Sequence, residues 1–143
     1  MNGQIELSPT ALRCLDRQLG QALDLAVSSR LLSDRARSDA HPLTAMALEH
    51  LSSDLTDQAA IVASLVCGEP PAATAPSPED TSSDTDTWLA EVDYRLGQAA
   101  LVAETDARSP GLEATVVGLL STLAAHYQTR RELLLVSTVL DAA

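Results

Sequence analysis

The stretch LDRQLGQA at residues 15–22 returns further along the chain as VDYRLGQA at residues 92–99. Five of the eight positions are identical, and the leading leucine becomes a valine. Each copy opens an apolar pattern of helical period, and each pattern is followed by a second one. We therefore interpret the chain as two similar helical hairpins in tandem, the pattern expected of an internal repeat.

The composition favours helices over sheets. Hydrophobic residues make up 45% of the 143 residues, yet only 2% are aromatic, so Leu, Ala and Val have to fill the interior. A sheet would normally recruit aromatic and β-branched residues. We predict a single all-α domain over residues 1–143, an up-and-down, antiparallel four-helix bundle. Its two similar hairpins, 8–68 and 87–141, are joined by a Pro/Ser/Thr-rich acidic linker at 69–86.

Four helices are expected, at about 8–34, 42–67, 87–106 and 110–141. Ser-Pro pairs at residues 8–9 and 109–110 are typical helix starts, because serine can cap the first turn and proline lacks only an N–H that would be unpaired there. Gly68 is the expected C-cap of the second helix. The residues predicted to form the apolar stripes are Leu12, Leu15, Leu19, Ala22, Ala26, Leu48, Leu51, Leu55, Ala59, Val62, Val66, Leu89, Val92, Leu96, Ala99, Ala103, Leu112, Val116, Leu119, Leu123, Tyr127, Leu134 and Ser137.

Both copies of the repeat keep a glycine inside a helix, Gly20 and Gly97. A glycine there costs about 1 kcal/mol relative to alanine. We interpret the pair as helix-crossing positions, where two helices approach closely.

The net charge of −11 is unevenly distributed. Residues 69–86 carry five acidic residues and no basic residue, whereas each helical half has an excess of only three acids. This distribution disfavours direct binding to nucleic acid or to an anionic membrane, since both require a basic surface. We also expect removal of residues 70–85 to leave the fold and its stability nearly intact.

The expected location is the cytoplasm. No run approaches the roughly 20 apolar residues that a membrane span needs, and the first residues lack a basic, apolar signal segment. Cys14 and Cys67 lie far apart, so we expect them to be reduced and to act as small buried apolar residues. The lysine-free, Ala/Leu/Arg-rich composition suggests a GC-rich bacterial or phage genome.

Motifs for catalysis are missing from the sequence. The chain has no lysine, which excludes a Walker A loop and a Schiff-base enzyme, and it has no CxxC, HExxH or GxSxG. We therefore expect a non-enzymatic protein without a cofactor.

One metal-binding alternative stays open, because helical bundles house carboxylate-bridged metal sites. The weak candidates are Glu49, His50, Asp54, His126 and Glu132. No Glu-x-x-His occurs, and both histidines adjoin an apolar stripe, so we interpret them as hydrogen-bonded residues at the edge of the core.

Partner binding is the function that these exclusions favour. We expect a small cytosolic protein-binding bundle, an adaptor, regulator or chaperone-like protein, with Trp88, Arg130 and Arg131 as candidate contacts to a protein partner. The alternatives are a self-assembling structural homodimer, an acidic mimic of nucleic acid that inhibits a nucleic-acid-binding protein, and the metal-binding bundle.

Overall fold

The computed structural model describes residues 7–66 and 85–142. These residues form four helices: α1 (Pro9–Ser38), α2 (Pro42–Leu65), α3 (Thr85–Ala107) and α4 (Ala114–Ala142). No strand occurs within these two ranges, so the all-α prediction is confirmed. The predicted cap Gly68, Cys67 and linker residues 69–84 lie outside the described residues.

The helices form a square bundle in which each neighbouring pair is antiparallel. α1 packs against α2 and α3, and α4 packs against the same two helices from the opposite corner. Arg17 near the start of α1 contacts Asp106 at the end of α3, and the N–H of Leu43 at the start of α2 contacts Asp141 at the end of α4. The diagonal pair α2 and α3 therefore runs in the same direction.

This geometry confirms the antiparallel bundle of two hairpins but corrects the expected order. The helices run up, down, down, up, and not up and down in strict alternation. α2 ends at one end of the bundle and α3 starts at the other, so the residues between them have to connect opposite ends.

The core lies between the four apolar stripes. Leucines at 15, 19, 48, 51, 55, 96, 120 and 123 are buried, and alanines and valines fill the space between them. Tyr127 is the largest fully buried side chain, and burial raises its pKa to about 12. The prediction for Leu12 is wrong, because it is 40% exposed. The buried face of α1 at that end is centred on Ala11 and Leu15, and Leu12 lies about 100° from Ala11 around the helix.

The predicted start of α1 is confirmed, but its end lies further along the chain. The Ser8 hydroxyl accepts a hydrogen bond from the N–H of Ala11 at 3.1 Å, as an N-cap should. α1 continues past residue 34 to Ser38, because Ala36 is still fully buried against the core. Ala40 then adopts a left-handed conformation (φ 62°), and the N–H of His41 bonds to the Ala36 carbonyl at 2.8 Å.

The fourth helix starts later than its sequence suggests. The N–H of Ser109 bonds back to the carbonyl of Asp106 at 3.0 Å, so this serine closes α3 and does not open α4. Gly111 has φ 81° and turns the chain, and α4 begins only at Ala114. The predicted Ser-Pro start at residues 109–110 is therefore wrong.

The two repeat glycines do not lie at a backbone crossing. A Cβ built on Gly20 would meet no heavy atom within 4 Å. A Cβ on Gly97 would meet the guanidinium of Arg131 at 2.8 Å, which is the movable end of a side chain. The helix-crossing interpretation is wrong for Gly20, and at Gly97 the close neighbour is a side chain. The internal duplication itself stays a hypothesis.

The order of the helices contradicts the expectation that the linker can be removed without loss of the fold. α2 has 24 residues and is about 36 Å long, and a chain spans at most about 3.3–3.6 Å per residue. Deleting residues 70–84 leaves only the four residues 66–69 between α2 and α3, and these cannot connect opposite ends. We predict that this deletion abolishes the native monomeric fold, measured by circular dichroism, thermal melting and light scattering.

The matched control replaces residues 70–84 by a Gly/Ser sequence of the same length. This variant should keep the helical signal and a cooperative melt. A deletion variant that is monomeric and melts at the wild-type temperature would contradict the up-down-down-up order.

Candidate interaction surface

The two arginines predicted to contact a partner form ion pairs with other helices of the same chain. Arg130 pairs with Asp54 and so connects α4 to α2. Arg131 holds Asp93 with two hydrogen bonds, from Nε at 2.8 Å and from Nη2 at 3.1 Å, and connects α4 to α3. Such bidentate pairs fix orientation well, although partly exposed pairs contribute little stability. Both side chains therefore have a structural role in the described fold.

Trp88, the third predicted partner contact, lies in the first turns of α3. Its ring is half-buried and packs against the core cluster. The guanidinium carbon of Arg35 lies 5.6 Å from the ring centroid, within the range of a cation–π interaction. Trp88 and Arg35 thus connect the start of α3 to the end of α1.

The metal candidates are dispersed among separate contacts. Glu49 pairs with Arg37, Asp54 with Arg130, and the Gln58 amide lies 2.7 Å from Nδ1 of His126. His50 and Glu132 have exposed side chains. In residues 7–66 and 85–142, no three His, Cys, Asp or Glu side chains come together in a way that could hold a metal ion.

A buried polar cluster joins the start of α1 to the end of α3. Asp106 is almost fully buried, and its two oxygens accept hydrogen bonds from Arg17 at 3.1 Å and from Gln18 at 3.2 Å. Cys14 lies beside it, where burial and the negative charge of Asp106 raise the pKa of the thiol. A thiol that stays protonated is a poor nucleophile, so Cys14 is a packing residue here.

Each end of α4 is hydrogen-bonded to the start of a different helix. Glu113, directly before α4, accepts a hydrogen bond at 2.9 Å from the N–H of Ser8, the N-cap of α1. At the opposite end, Asp141 accepts hydrogen bonds from the N–H groups of Leu43 at 3.2 Å and Thr44 at 2.7 Å. His41, the N-cap of α2, makes no side-chain capping bond, so Asp141 supplies the acceptor for that turn.

A shallow groove of about 290 Å³ lies between α1 and α3. Its lining includes Gln21 and Gln98, which occupy matching positions in the similar stretches 15–22 and 92–99, together with Asp24, Arg95 and the exposed ring of Tyr94. Arg95 is paired with Glu91 at 3.0 Å. The groove is open to solvent and collects no pair of groups arranged as nucleophile and base.

The C-terminal half of α4 exposes apolar side chains that sequence reasoning did not assign. We define the apolar α4 face by five residues, each 47–61% exposed: Leu133, Leu135, Val136, Val139 and Leu140. Leu43 at the start of α2 is also exposed, and its N–H bonds to Asp141 at the end of α4. Contiguous exposed apolar patches of this kind mark interaction sites.

The signal for this face is present in the sequence. Residues 133–140 read LLLVSTVL and contain no ionisable residue. The stripe prediction used only Leu134 and Ser137 of this run, and the other five apolar residues cannot fit the same side of a helix with a period of 3.6 residues. Surplus apolar residues outside the stripe could therefore have identified the face.

Comparisons of the chain with models of known protein families, with curated protein sequences and with solved structures returned no match. Among the helices of residues 7–66 and 85–142, none combines the length and the apolar character needed to cross a membrane.

The two capping carboxylates predict an acid-sensitive fold. Burial raises the pKa of Asp141, but the hydrogen bonds from Thr44 and Leu43 outweigh it and hold the pKa below its usual range. Hydrogen bonds from its own N–H and that of Ser8 lower the pKa of Glu113. A carboxyl whose pKa is lower in the folded state stabilises the protein above the unfolded pKa, about 4, and this contribution is lost as pH falls through the folded pKa. Thermal melts should therefore show falling stability below pH of about 4.

The variant Asp141→Asn separates this effect from general acid unfolding. It should lower the melting temperature at pH 7 and narrow the difference in melting temperature between pH 7 and pH 3. The control Glu132→Gln changes an exposed carboxylate on the same helix and should leave both values nearly unchanged. Equal behaviour of the two variants would contradict the capping role of Asp141.

Proposed function

We propose that this chain is a non-enzymatic protein-binding helical module, an adaptor, regulator or chaperone-like protein of the cytoplasm, that binds its partner through the apolar α4 face. One observation carries the proposal. Five large apolar side chains lie together on the outer side of α4 and are about half exposed. Burying such side chains against a partner is the main driving force of protein association.

The kind of partner follows from the shape and chemistry of the face. Leu133, Val136 and Leu140 follow the 3/4 spacing of one helix side, so a second helix packed along α4 can interdigitate with them. The fitting partner segment is therefore helical and apolar along one side. This is the helix-in-groove or helix-on-helix mode of recognition.

The contacts of the charged groups favour binding over catalysis. Asp54, Asp93, Asp106 and Glu49 are each paired with an arginine of a neighbouring helix. These pairs link helices to each other, so these four carboxylates serve the fold. They also lower the density of free carboxylates on the helices, which weakens the alternative of a nucleic-acid mimic.

A photo-crosslinking amino acid placed at residue 139 in the native host cells tests the proposal. Position 139 lies in the apolar α4 face, and position 101 on α3 is a matched control, since Val139 and Leu101 are both more than half exposed. We expect intermolecular adducts from position 139, to another protein or to a second copy, and few from position 101. Absence of intermolecular adducts at 139, or equal yields at both positions, would contradict the proposed function.

A further inference from the structure

The stretch of α4 from residue 133 to residue 140 carries apolar side chains on both sides. Leu134 on its inner side is buried in the core, and its outer side carries the apolar α4 face. A helix that is apolar all round is normally buried on all sides. The four-helix bundle covers only the inner side of α4, so the fold leaves one interface unfilled.

The unfilled surface has the size that an interface needs. The apolar α4 face comprises five apolar side chains that are each 47–61% exposed, and Leu43 and Met46 near the start of α2 are exposed as well. Side chains of this kind amount to several hundred Å² of exposed surface, the range of functional patches. A twofold contact counts the patch twice and so approaches the roughly 1,000 Å² of total area that a specific interface requires.

The electrostatics indicate what covers this surface. From residue 133 to residue 140 the helix carries no charge, and Arg130 and Arg131 beside it are already paired with Asp54 and Asp93. The exposed Glu132 lies at the edge of the face, but the face itself has no carboxylate that could pair with a basic partner. A charged segment would therefore lose solvation there without compensation. The complementary surface is an uncharged helix face, and this chain contains one in the same α4 of a second copy.

We propose that two copies of the chain form a twofold-symmetric dimer in which the apolar α4 faces pack against each other. The inference rests on the proposed function, because it names the partner of that face. Leu133, Val136 and Leu140 have the 3-then-4 spacing of a coiled-coil seam. In an antiparallel pair Leu133 of one copy lies opposite Leu140 of the other, and Val136 lies close to the axis. Glu132, which is exposed and four residues before Val136, then lies at the edge of the contact, and the Thr/Ser-rich first half of α4 lies beyond it.

Sedimentation and light scattering of the full chain test this dimer. The wild-type protein should have twice the 15.0 kDa mass of the chain and should dissociate on dilution. Val136→Glu places a charge at the axis and should weaken dimerisation by about 100-fold or more, since an unpaired buried charge is strongly unfavourable. The matched control is Leu101→Glu on α3, because Leu101 and Val136 are both 54% exposed. It should leave the dimer intact, and circular dichroism should show that both variants remain folded.

A second variant reports on the axis independently of charge. Val136→Cys should form an intermolecular disulfide under mild oxidation, because a disulfide requires the two Cβ atoms within about 3.5–4.5 Å. Leu101→Cys should not. A monomeric wild-type protein, a dimer that survives Val136→Glu, or equal dissociation of both glutamate variants would overturn the dimer.

The two proposals fail in different ways. A monomeric protein whose position 139 cross-links in cells to a different protein loses the dimer and keeps the binding function. A monomer whose position 139 cross-links only within its own chain, for example to residues 67–84, loses both.

Discussion

The shared burial of four apolar stripes is the constraint on which the structure depends. Each helix exposes a stripe that water disfavours, and no single helix can hide its own. Leu15, Leu51, Leu96 and Leu120, one from each helix, are all buried in the same core cluster. The pairing of these stripes fixes which sides of the helices face inward, and every polar link between helices forms around that arrangement.

Polar contacts then select one register and one order of the helices. Asp106 holds Arg17 and Gln18 where α1 and α3 meet, while Arg131 holds Asp93 between α3 and α4. Glu113 and Asp141 attach the two ends of α4 to the starts of α1 and α2. Apolar side chains alone tolerate sliding and alternative neighbours, whereas these directional bonds do not. α4 is thus connected to every other helix, and it is also the helix whose outer side offers an interaction surface.

The sequence predicted the elements of this fold better than their arrangement. Period and capping chemistry located α2 at Pro42 and the start of α1 at Ser8, because both signals are local. The start of α4 was missed because Ser109 and Pro110 read as a helix start only in isolation; in the fold Ser109 closes α3, and Gly111 turns the chain. The parallel course of α2 and α3 depends on contacts between residues far apart in sequence, such as Arg35 with Trp88, which no local pattern encodes.

The candidate site, too, could be predicted only in part from the sequence. The sequence drew attention to conspicuous residues, and Trp88, Arg130 and Arg131 turned out to be engaged within the bundle. The apolar α4 face consists of ordinary leucines and valines, and it stands out only once the core has been assigned and these side chains remain outside it. A comparison of the number of apolar residues in 133–140 with the number that one side of a helix can hold would have found this face.

Energy transfer from Trp88, the single tryptophan, to an acceptor attached to α2 tests the helix arrangement most directly. Residue 46 in the first turns of α2 lies at the same end of the bundle as Trp88, whereas residue 64 lies about 27 Å further along the helix axis. The arrangement described here predicts efficient transfer to an acceptor at residue 46, weak transfer to one at residue 64, and loss of this difference in the same cooperative transition that removes the helical signal. Stronger transfer to residue 64 than to residue 46 in the folded protein would contradict it.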